Sequence, residues 1–205
     1  MINVSDEFKQ LMTERQDFKC NAEVTLANGT VLPLGEDDFS IDNNSLVDAA
    51  GANTIPLGVA LSRNVQLEIM NGDDHLSNYD FFGAKIRLYL TFELSETTEK
   101  IEYGTFTVTQ PEGYGNVVTI VGYDDMYKAD KAYSTTLTFP ATAKSVLIDS
   151  CDTCGILIGD SNFLHNDFQI PSMPSSEYTH RQIIGFIAMI ACGNARIDRT
   201  GRLQI

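Results

Sequence analysis

Hydrophobic and polar residues alternate along most of the first part of the chain, a pattern typical of strands with one buried face. The alternating runs are "CNAEVTLANGTVLPL", "GVALSRNVQLEIMNG", "AKIRLYLTFEL", "KIEYGTFTVTQ" and "VVTIVGY". In the first run, Asn28 and Gly29 separate two alternating halves, which strongly indicates a β-hairpin. In the second run, Val65, Leu67 and Ile69 share one face. The pattern therefore predicts a set of antiparallel strands joined by short turns.

Two segments interrupt this alternation. Residues 6–18 carry Phe8, Leu11 and Met12 at helical spacing with charges between them, which predicts a short amphipathic helix. The polar stretch that follows the first hairpin is rich in turn-forming residues and predicts a long loop with a short strand near Phe39–Ile41. Together with the strands, this predicts a β sandwich or barrel with one leading helix.

After Tyr133 the apolar residues recur at helical spacing instead of alternating. Pro140 and Thr142 are suited to a helix start, and Gly155 to its end. The run "EYTHRQIIGFIAMIACG" has apolar residues at helical spacing, and we expect Gly193 to stop that helix.

The last segment, "NARIDRTGRLQI", predicts a hairpin whose second strand is still running at Ile205. The predicted fold class is therefore mainly β to α+β. We expect a β domain with a leading helix at 1–133 and a smaller α+β unit at 134–205, which would be the incomplete start of a second domain.

The chain is strongly acidic, with a formal net charge of −14. The acidic density is greatest between Glu36 and Asp80, where Arg63 is the only basic residue. Binding to nucleic acid or anionic lipid needs Lys and Arg, so a generic DNA-binding role is disfavoured. The sequence has no apolar run long enough for a membrane helix, and its start lacks the apolar core of a secretion signal.

Two adjacent carboxylates, Asp124 and Asp125, follow the last strand of the first part. Paired aspartates in such a turn can hold magnesium, but that chemistry needs further carboxylates and a basic channel for phosphate. The alternative is structural: Tyr123, Met126 and Tyr127 pack while the aspartates cap the turn. We favour the structural interpretation, and we expect these side chains and Tyr133 to be substantially buried.

Three other groups of residues invite chemical interpretations. Asp73, Asp74 and Asp80 lie beside His75 in one loop and offer oxygen ligands to calcium, but their spacing does not match an EF-hand, so a solvated loop is favoured.

The pair in "CDTC", Cys151 and Cys154, has metal-like spacing but no second pair of ligands, so packing near a helix end is favoured. His165 and His180 are isolated in the sequence, and His180 at a helix start favours a surface role. We therefore expect no catalytic, cofactor-binding or metal-binding residues in this chain, and no enzymatic activity.

The order of several segments resembles a known family. It is carried by "AEVTLANGTVLPL", "IPLGVALSRNVQLEI", "YDFFGAKIRLYL", "TFPATAKSVLIDSCDTCGI" and, most specifically, "GYDDMYKADKAY" and "THRQIIGFIAMIACGNARIDRTGRL". Over most of its length the chain is similar to the N-terminal part of tail hub proteins of bacteriophages and prophages, also called tail-tip, tail-associated or baseplate hub proteins.

The resemblance implies a tail-tube-like β domain and the beginning of a second one. It also implies a virion protein, made in the bacterial cytoplasm, that caps the tail tube and lines or gates the DNA exit channel. Its implied partners are two further copies in a homotrimer, the ring of distal tail proteins and the tape measure protein. DNA would pass through without specific binding, and no membrane insertion is implied.

Two alternatives remain open from the sequence. A carbohydrate- or receptor-binding β module is the first, although the chain has no Trp to stack on sugar; binding to a glycan array would favour it. A cell-wall hydrolase is the second, and clearing of a cell-wall suspension would favour that.

Overall fold

The computed structural model describes residues 4–13, 18–41, 43–48, 56–94, 96–113 and 115–205. Its helices are α1 (Asp6–Thr13), α2 (Ala143–Cys154) and α3 (His180–Ile190). Its strands are β1 (Lys19–Thr25), β2 (Val31–Leu34), β3 (Ser45–Asp48), β4 (Ala60–Leu61), β5 (Arg63–Met70), β6 (Lys85–Glu93), β7 (Thr98–Glu112), β8 (Val117–Tyr123), β9 (Ala141–Thr142), β10 (Leu157–Ile158), β11 (Gln169–Ile170), β12 (Ala195–Ile197) and β13 (Arg202–Gln204). In the described part of the chain, no helix is long and apolar enough to cross a membrane.

The chain divides into two compact units. Unit 1 comprises Met1–Ser45 and Gln66–Gly122, and unit 2 comprises Leu46–Val65 and Tyr123–Ile205. This division differs from the predicted one at 133/134, because it gives residues 123–133 and an earlier segment to the second unit. The physical reasons are the packing of Met126, Ala129 and Tyr133 in the core of unit 2 and the pairing of β4 with β12.

Unit 1 is built on a large antiparallel sheet, as the alternation predicts. Its seven strands have the order β2-β1-β6-β7-β8-β5-β3. The hairpin around Asn28 and Gly29 is confirmed, because β1 and β2 pair antiparallel from Ala22 opposite Leu34 to Thr25 opposite Val31. The predicted pairing of β6 with β7 is also confirmed.

The two edges of this sheet, β2 and β3, follow each other in the chain. Phe39, only five residues beyond the end of β2 at Leu34, already pairs with Ile69 of β5. Five residues reach about 18 Å, whereas the strand spacings of a flat seven-stranded sheet sum to about 29 Å. The sheet must therefore curl. The described residues show no pairing of β2 with β3. The sheet is therefore curled and open: the predicted β-rich fold is confirmed, but of the predicted sandwich or barrel, the barrel is not closed.

A β-bulge interrupts the pairing of β6 with β7 between Leu88 and Tyr89. Tyr103 is the extra residue, since Gly104 lies opposite Leu88 and Glu102 lies opposite Tyr89. One extra residue shifts the side-chain alternation by one position. As a result, the apolar side chains of β7 are buried both before the bulge, at Ile101, and after it, at Phe106 and Val108.

The core of unit 1 lies on one face of the curled sheet. Its fully buried members come from alternate positions of the strands and from the loop before β6: Ala22, Val24, Leu67, Ile69, Leu76, Phe81, Ala84, Ile86, Phe106, Val108, Val118 and Ile120. Helix α1 adds a smaller cluster in which Phe8 meets Phe92 edge-on at 4.6 Å between ring centroids. The predicted helix begins at Asp6 as expected; residues 14–17 of the prediction lie outside the described residues, as does the side chain of Leu11.

Unit 2 combines a four-stranded sheet of order β10-β13-β12-β4 with helices α2 and α3. The predicted C-terminal hairpin is confirmed by the antiparallel pairing of β12 with β13, whereas β4 and β10 join this sheet in parallel. The two helices contribute half of the buried residues described in its apolar core: Ala143, Val146, Leu147, Cys151, Cys154, Ile183, Ile184, Ile187 and Ala188.

The ends of both helices follow from local chemistry. Thr142 caps α2 by accepting a hydrogen bond from the Ser145 N–H, and Gly155 ends it in the left-handed conformation, as predicted. Thr179 caps α3 in a capping box with Gln182. The expected stop at Gly193 is wrong by one residue, because Cys192 takes the left-handed conformation with φ of 57°.

Candidate functional site

The outward face of the unit 1 sheet carries an ordered set of polar side chains, which we call the polar face. They occupy the positions that alternate with the core along β1, β6 and β7: Lys19, Asn21, Glu23, Lys85, Arg87, Tyr89, Thr91, Glu93, Lys100, Glu102 and Thr107. The register of the strands places these residues opposite one another, with Glu23 opposite Arg87 and Tyr89 opposite Glu102. The bulge at Tyr103 is what brings Glu102 onto this face.

Arg87 lies at the centre of the polar face and is held by carboxylates from both neighbouring strands. Its Nε donates to Glu102 Oε2 at 3.1 Å, and its Nη1 lies 3.4 Å from Glu23 Oε2. The hydrogen bond to Glu102 is the main cause that raises the pKa of the Arg87 guanidinium. Lys100 completes the group, with its Nζ 3.7 Å from Glu102 and 3.4 Å above the centre of the Tyr89 ring.

The remaining polar side chains of this face are also engaged. Lys19 Nζ donates to Glu93, and Lys85 Nζ donates to Thr107 Oγ1 at 2.6 Å. The polar face thus carries four basic and three acidic residues, and three of the basic residues, Lys19, Arg87 and Lys100, contact its carboxylates. Its basic residues outnumber its acidic ones by one, so the acidic excess of the chain lies elsewhere.

Asp124, the first of the paired aspartates, is a buried structural cap. Its side chain is 2 % exposed and accepts three hydrogen bonds: from Ser62 Oγ at 2.9 Å, from the Arg63 N–H at 2.9 Å and from the Met126 N–H at 3.2 Å. The last of these caps the short 3₁₀ helix Asp125–Ala129. Burial raises the pKa of the Asp124 carboxyl, and the hydrogen bonds from Arg63 and Ser62 oppose that effect.

Asp125 takes a different partner from those of Asp124. Its carboxylate lies 2.8 Å from Lys128 Nζ, one turn further along the 3₁₀ helix. The two adjacent aspartates therefore do not form a common ligand set. Of the aromatic residues expected to anchor this segment, Tyr133 is buried together with Met126, whereas Tyr123 and Tyr127 are only half-buried.

The acidic loop that follows β5 uses its carboxylates for local turns. Asp73 contacts the His75 ring, Asp74 contacts Ser77, and Asp80 accepts from the Phe82 N–H at 2.9 Å. The three carboxylates therefore have separate partners. Across the described residues, no group of three or more His, Cys, Asp or Glu side chains is placed to hold a metal ion.

The two cysteines of the "CDTC" motif belong to the core of unit 2. Both are free thiols, and both are buried on α2. Burial raises the pKa of the Cys151 thiol to about 12 and also raises the pKa of Cys154. Both thiols are therefore protonated at neutral pH, which is the form that neither ligates metal nor acts as a nucleophile.

His180 corrects an expectation, because it is fully buried rather than on the surface. It is the first residue of α3, and its Nε2 accepts a hydrogen bond from the Ser134 N–H at 3.3 Å. Its ring packs edge-on against Tyr133, with centroids 5.0 Å apart. The sequence does not indicate this burial, because a histidine at a helix start has the same local sequence pattern whether it is buried or exposed.

No protein-family model and no curated protein sequence matches the chain significantly. Among solved structures, the chain is similar to the 43 kDa tail protein of prophage MuSo2 from Shewanella oneidensis, with 12% identity and a TM-score of 0.49. That match covers 92% of this chain and 55% of the tail protein.

The chain is also similar to structures of the Francisella PdpA-VgrG complex. The half-lidded form matches with 10% identity and a TM-score of 0.46, over 81% of this chain and 28% of the matched one. The lidless PdpA-VgrG structure matches with 11% identity and a TM-score of 0.44, over 76% of this chain and 28% of that one. The chain thus spans about half the length of the tail protein and under a third of the chains in these complexes. Identities and TM-scores as low as these do not assign a function to the chain.

Proposed function

We propose that this chain belongs to a structural, non-enzymatic component of a bacteriophage tail, the hub that caps the tail tube and lines or gates the DNA exit channel. The segment order described above resembles that family, and the large antiparallel sheet of unit 1 suits a ring wall. The observation that carries the proposal is the polar face, on which Lys19, Arg87 and Lys100 are paired with carboxylates of the same sheet.

This pairing suits a surface past which DNA moves. Affinity for DNA comes mainly from Lys and Arg side chains that neutralise phosphates and release counterions. Arg87 and Lys100 already have carboxylate partners within the sheet, so a phosphate would have to compete with Glu23 and Glu102. The acidic excess of the rest of the chain adds long-range repulsion. A polar, hydrated channel wall of this kind lets a polyanion such as DNA move past without binding it tightly.

The same proposal gives the partners. Three copies of the full-length protein form a ring with a central channel, with the distal tail proteins on one side and the tape measure protein within the tube. Closed rings of this kind gain stability from repeated identical interfaces. The protein is made in the bacterial cytoplasm and acts in the virion.

Light scattering on the full-length protein, with and without its distal tail partner, tests the assembly. A trimer that binds the distal tail ring is expected. A full-length protein that stays monomeric at high concentration and does not bind that ring would refute the hub assignment. Glycan-array binding or clearing of a cell-wall suspension would favour the two alternatives instead.

A charge-balance experiment tests the polar face separately. The double variant Glu23→Gln and Glu102→Gln leaves Arg87 and Lys100 without acidic partners, and we expect it to bind duplex DNA at low salt while the unmodified protein does not. The pair Glu96→Gln and Glu112→Gln removes two exposed acidic charges outside the polar face and serves as the matched control. Equal DNA binding by the control and the double variant would contradict the role of the paired charges.

A further inference from the structure

A short segment of unit 2, residues 131–134, is hydrogen-bonded to the start of α3. We call it the latch segment. Its contacts with residues 178–180 form a small antiparallel ladder: His180 N–H to Lys131 O at 3.0 Å, Tyr133 N–H to Tyr178 O at 2.8 Å, the bridge between Ala132 and Thr179, and Ser134 N–H to His180 Nε2 at 3.3 Å. The contacts of Lys131, Ala132 and Tyr133 are ordinary backbone pairing. The contact of Ser134, in contrast, depends on the His180 ring, which can take up a proton.

The hydrogen bond from Ser134 assigns the protonation state of the His180 ring. Nε2 can accept from a backbone N–H only while it carries no proton, so the ring is neutral with its hydrogen on Nδ1. The ring is fully buried, and within the described residues Nδ1 has no hydrogen-bond partner. The latch segment is therefore held by a histidine that must stay neutral.

The charged and titratable groups around the ring come from three elements. Lys131 lies in the latch segment, where its Nζ also donates to Thr153 O at 2.6 Å. Asp149 projects from α2, and one of its carboxylate oxygens is buried without a hydrogen-bond partner among the described residues. Tyr133 covers the ring edge-on. On α3 itself, Arg181 is engaged by Asp130 at 3.1 Å.

We propose that His180 is an acid-sensitive latch, which holds Ser134, the last residue of the latch segment, at the start of α3 while the ring is neutral and releases it when Nε2 takes up a proton. The physical step is an exchange of an acceptor for a donor. Once Nε2 carries a hydrogen, two N–H groups face each other at the position now occupied by the hydrogen bond from Ser134. The new positive charge would also lie in a fully buried site near Lys131, with Asp149 opposing this effect.

The direction of the pH response follows from the surroundings. Burial lowers the pKa of His180 below its ordinary value of 6.5, Lys131 lowers it further, and Asp149 opposes both. A histidine whose pKa is lower in the folded than in the unfolded state contributes stability that is present above the unfolded pKa. That contribution is lost as the pH falls through the folded pKa, so the latch opens on acidification.

Amide hydrogen exchange and the ring nitrogen shifts of His180 test the proposal on the intact protein. We expect the protection factor of the Ser134 amide to fall about tenfold per pH unit between the ordinary histidine pKa of 6.5 and the lower folded pKa of His180, and to level off below the folded pKa. The Nε2 shift should have its midpoint at the pH where the protection levels off. The Ile187 amide, on α3 in the core of unit 2, should keep its protection over this range, which separates release of the latch from unfolding of unit 2.

His180→Gln supplies the decisive variant, because a glutamine carbonyl reaches the position of Nε2 and accepts a hydrogen bond without titrating. We expect Ser134 protection in this variant to be independent of pH, while the control His165→Gln keeps the transition. A Ser134 amide whose protection does not change as His180 titrates would overturn the proposal, as would a transition that survives in His180→Gln. If that variant does not fold, the measurement on the unmodified protein decides.

Discussion

Replacing Asp124 by Ala is expected to destabilise unit 2 severely, although an aspartate beside a second aspartate looks like a surface feature in the sequence. The substitution removes the acceptor for two buried backbone N–H groups, those of Arg63 and Met126, and for the Ser62 hydroxyl. Each buried N–H left without a partner costs about 1–3 kcal/mol, so the two together cost about 2–6 kcal/mol. The hydroxyl can turn to another acceptor and adds little.

Urea unfolding followed by far-UV circular dichroism measures this change, because α2 and α3 of unit 2 supply most of the helical signal. The matched control is Asp125→Ala, next in the chain, whose carboxylate pairs with Lys128; we expect it to cost less than about 1 kcal/mol. Asp124→Asn keeps one acceptor oxygen and should lie between the two. Equal destabilisation by Asp124→Ala and Asp125→Ala would refute the assignment of Asp124 as a buried cap.

Further outcomes follow from the same geometry. Because burial raises the pKa of Asp124, the stability gained by protonating this carboxyl is present below its unfolded pKa and is lost as the pH rises through the folded pKa; Asp124→Asn should flatten the stability profile just above about pH 4 in acid titrations. Titration calorimetry with magnesium, calcium and manganese should give no stoichiometric heat, since the Asp124 oxygens are already occupied, and a micromolar site would contradict this. Tyr133→Ala should cost about 3–5 kcal/mol and Tyr127→Ala, which is half-buried, distinctly less, as judged by urea midpoints. Arg87→Ala should lower stability by about 1 kcal/mol or less, with a smaller loss at high salt, because its ion pairs are partly exposed.

The strands and helices were predictable where one residue period dominates. Val65, Leu67 and Ile69 alternate without interruption, and all three are buried as expected. The caps of α2 were also predictable, since Thr142 and Gly155 act through contacts within a few residues of themselves. In each case the deciding interaction is local, so the local sequence contains it.

The missed features depend on residues far apart in the chain. Nothing near Ala60 indicates that it pairs with Ala195, because a two-residue strand has no period of its own. The polar face depends on the bulge at Tyr103, and only the glycine that follows it inside a strand hints at that irregularity. The burial of His180 depends on the latch segment, which lies 46 residues earlier at Ser134.

The parallel pairing of β4 with β12 has a consequence for synthesis on the ribosome. The segment Leu46–Val65 is made early, but its partner strand begins at Ala195, almost at the end of the chain described here. Unit 1, in contrast, has all of its strands once Tyr123 has emerged. Units of a chain fold as they become complete. We therefore expect unit 1 to be folded in the nascent chain at a stage when β4 has no β12 with which to pair. During that interval Ala60 and Leu61 would lack their partner strand and would be open to proteases and chaperones.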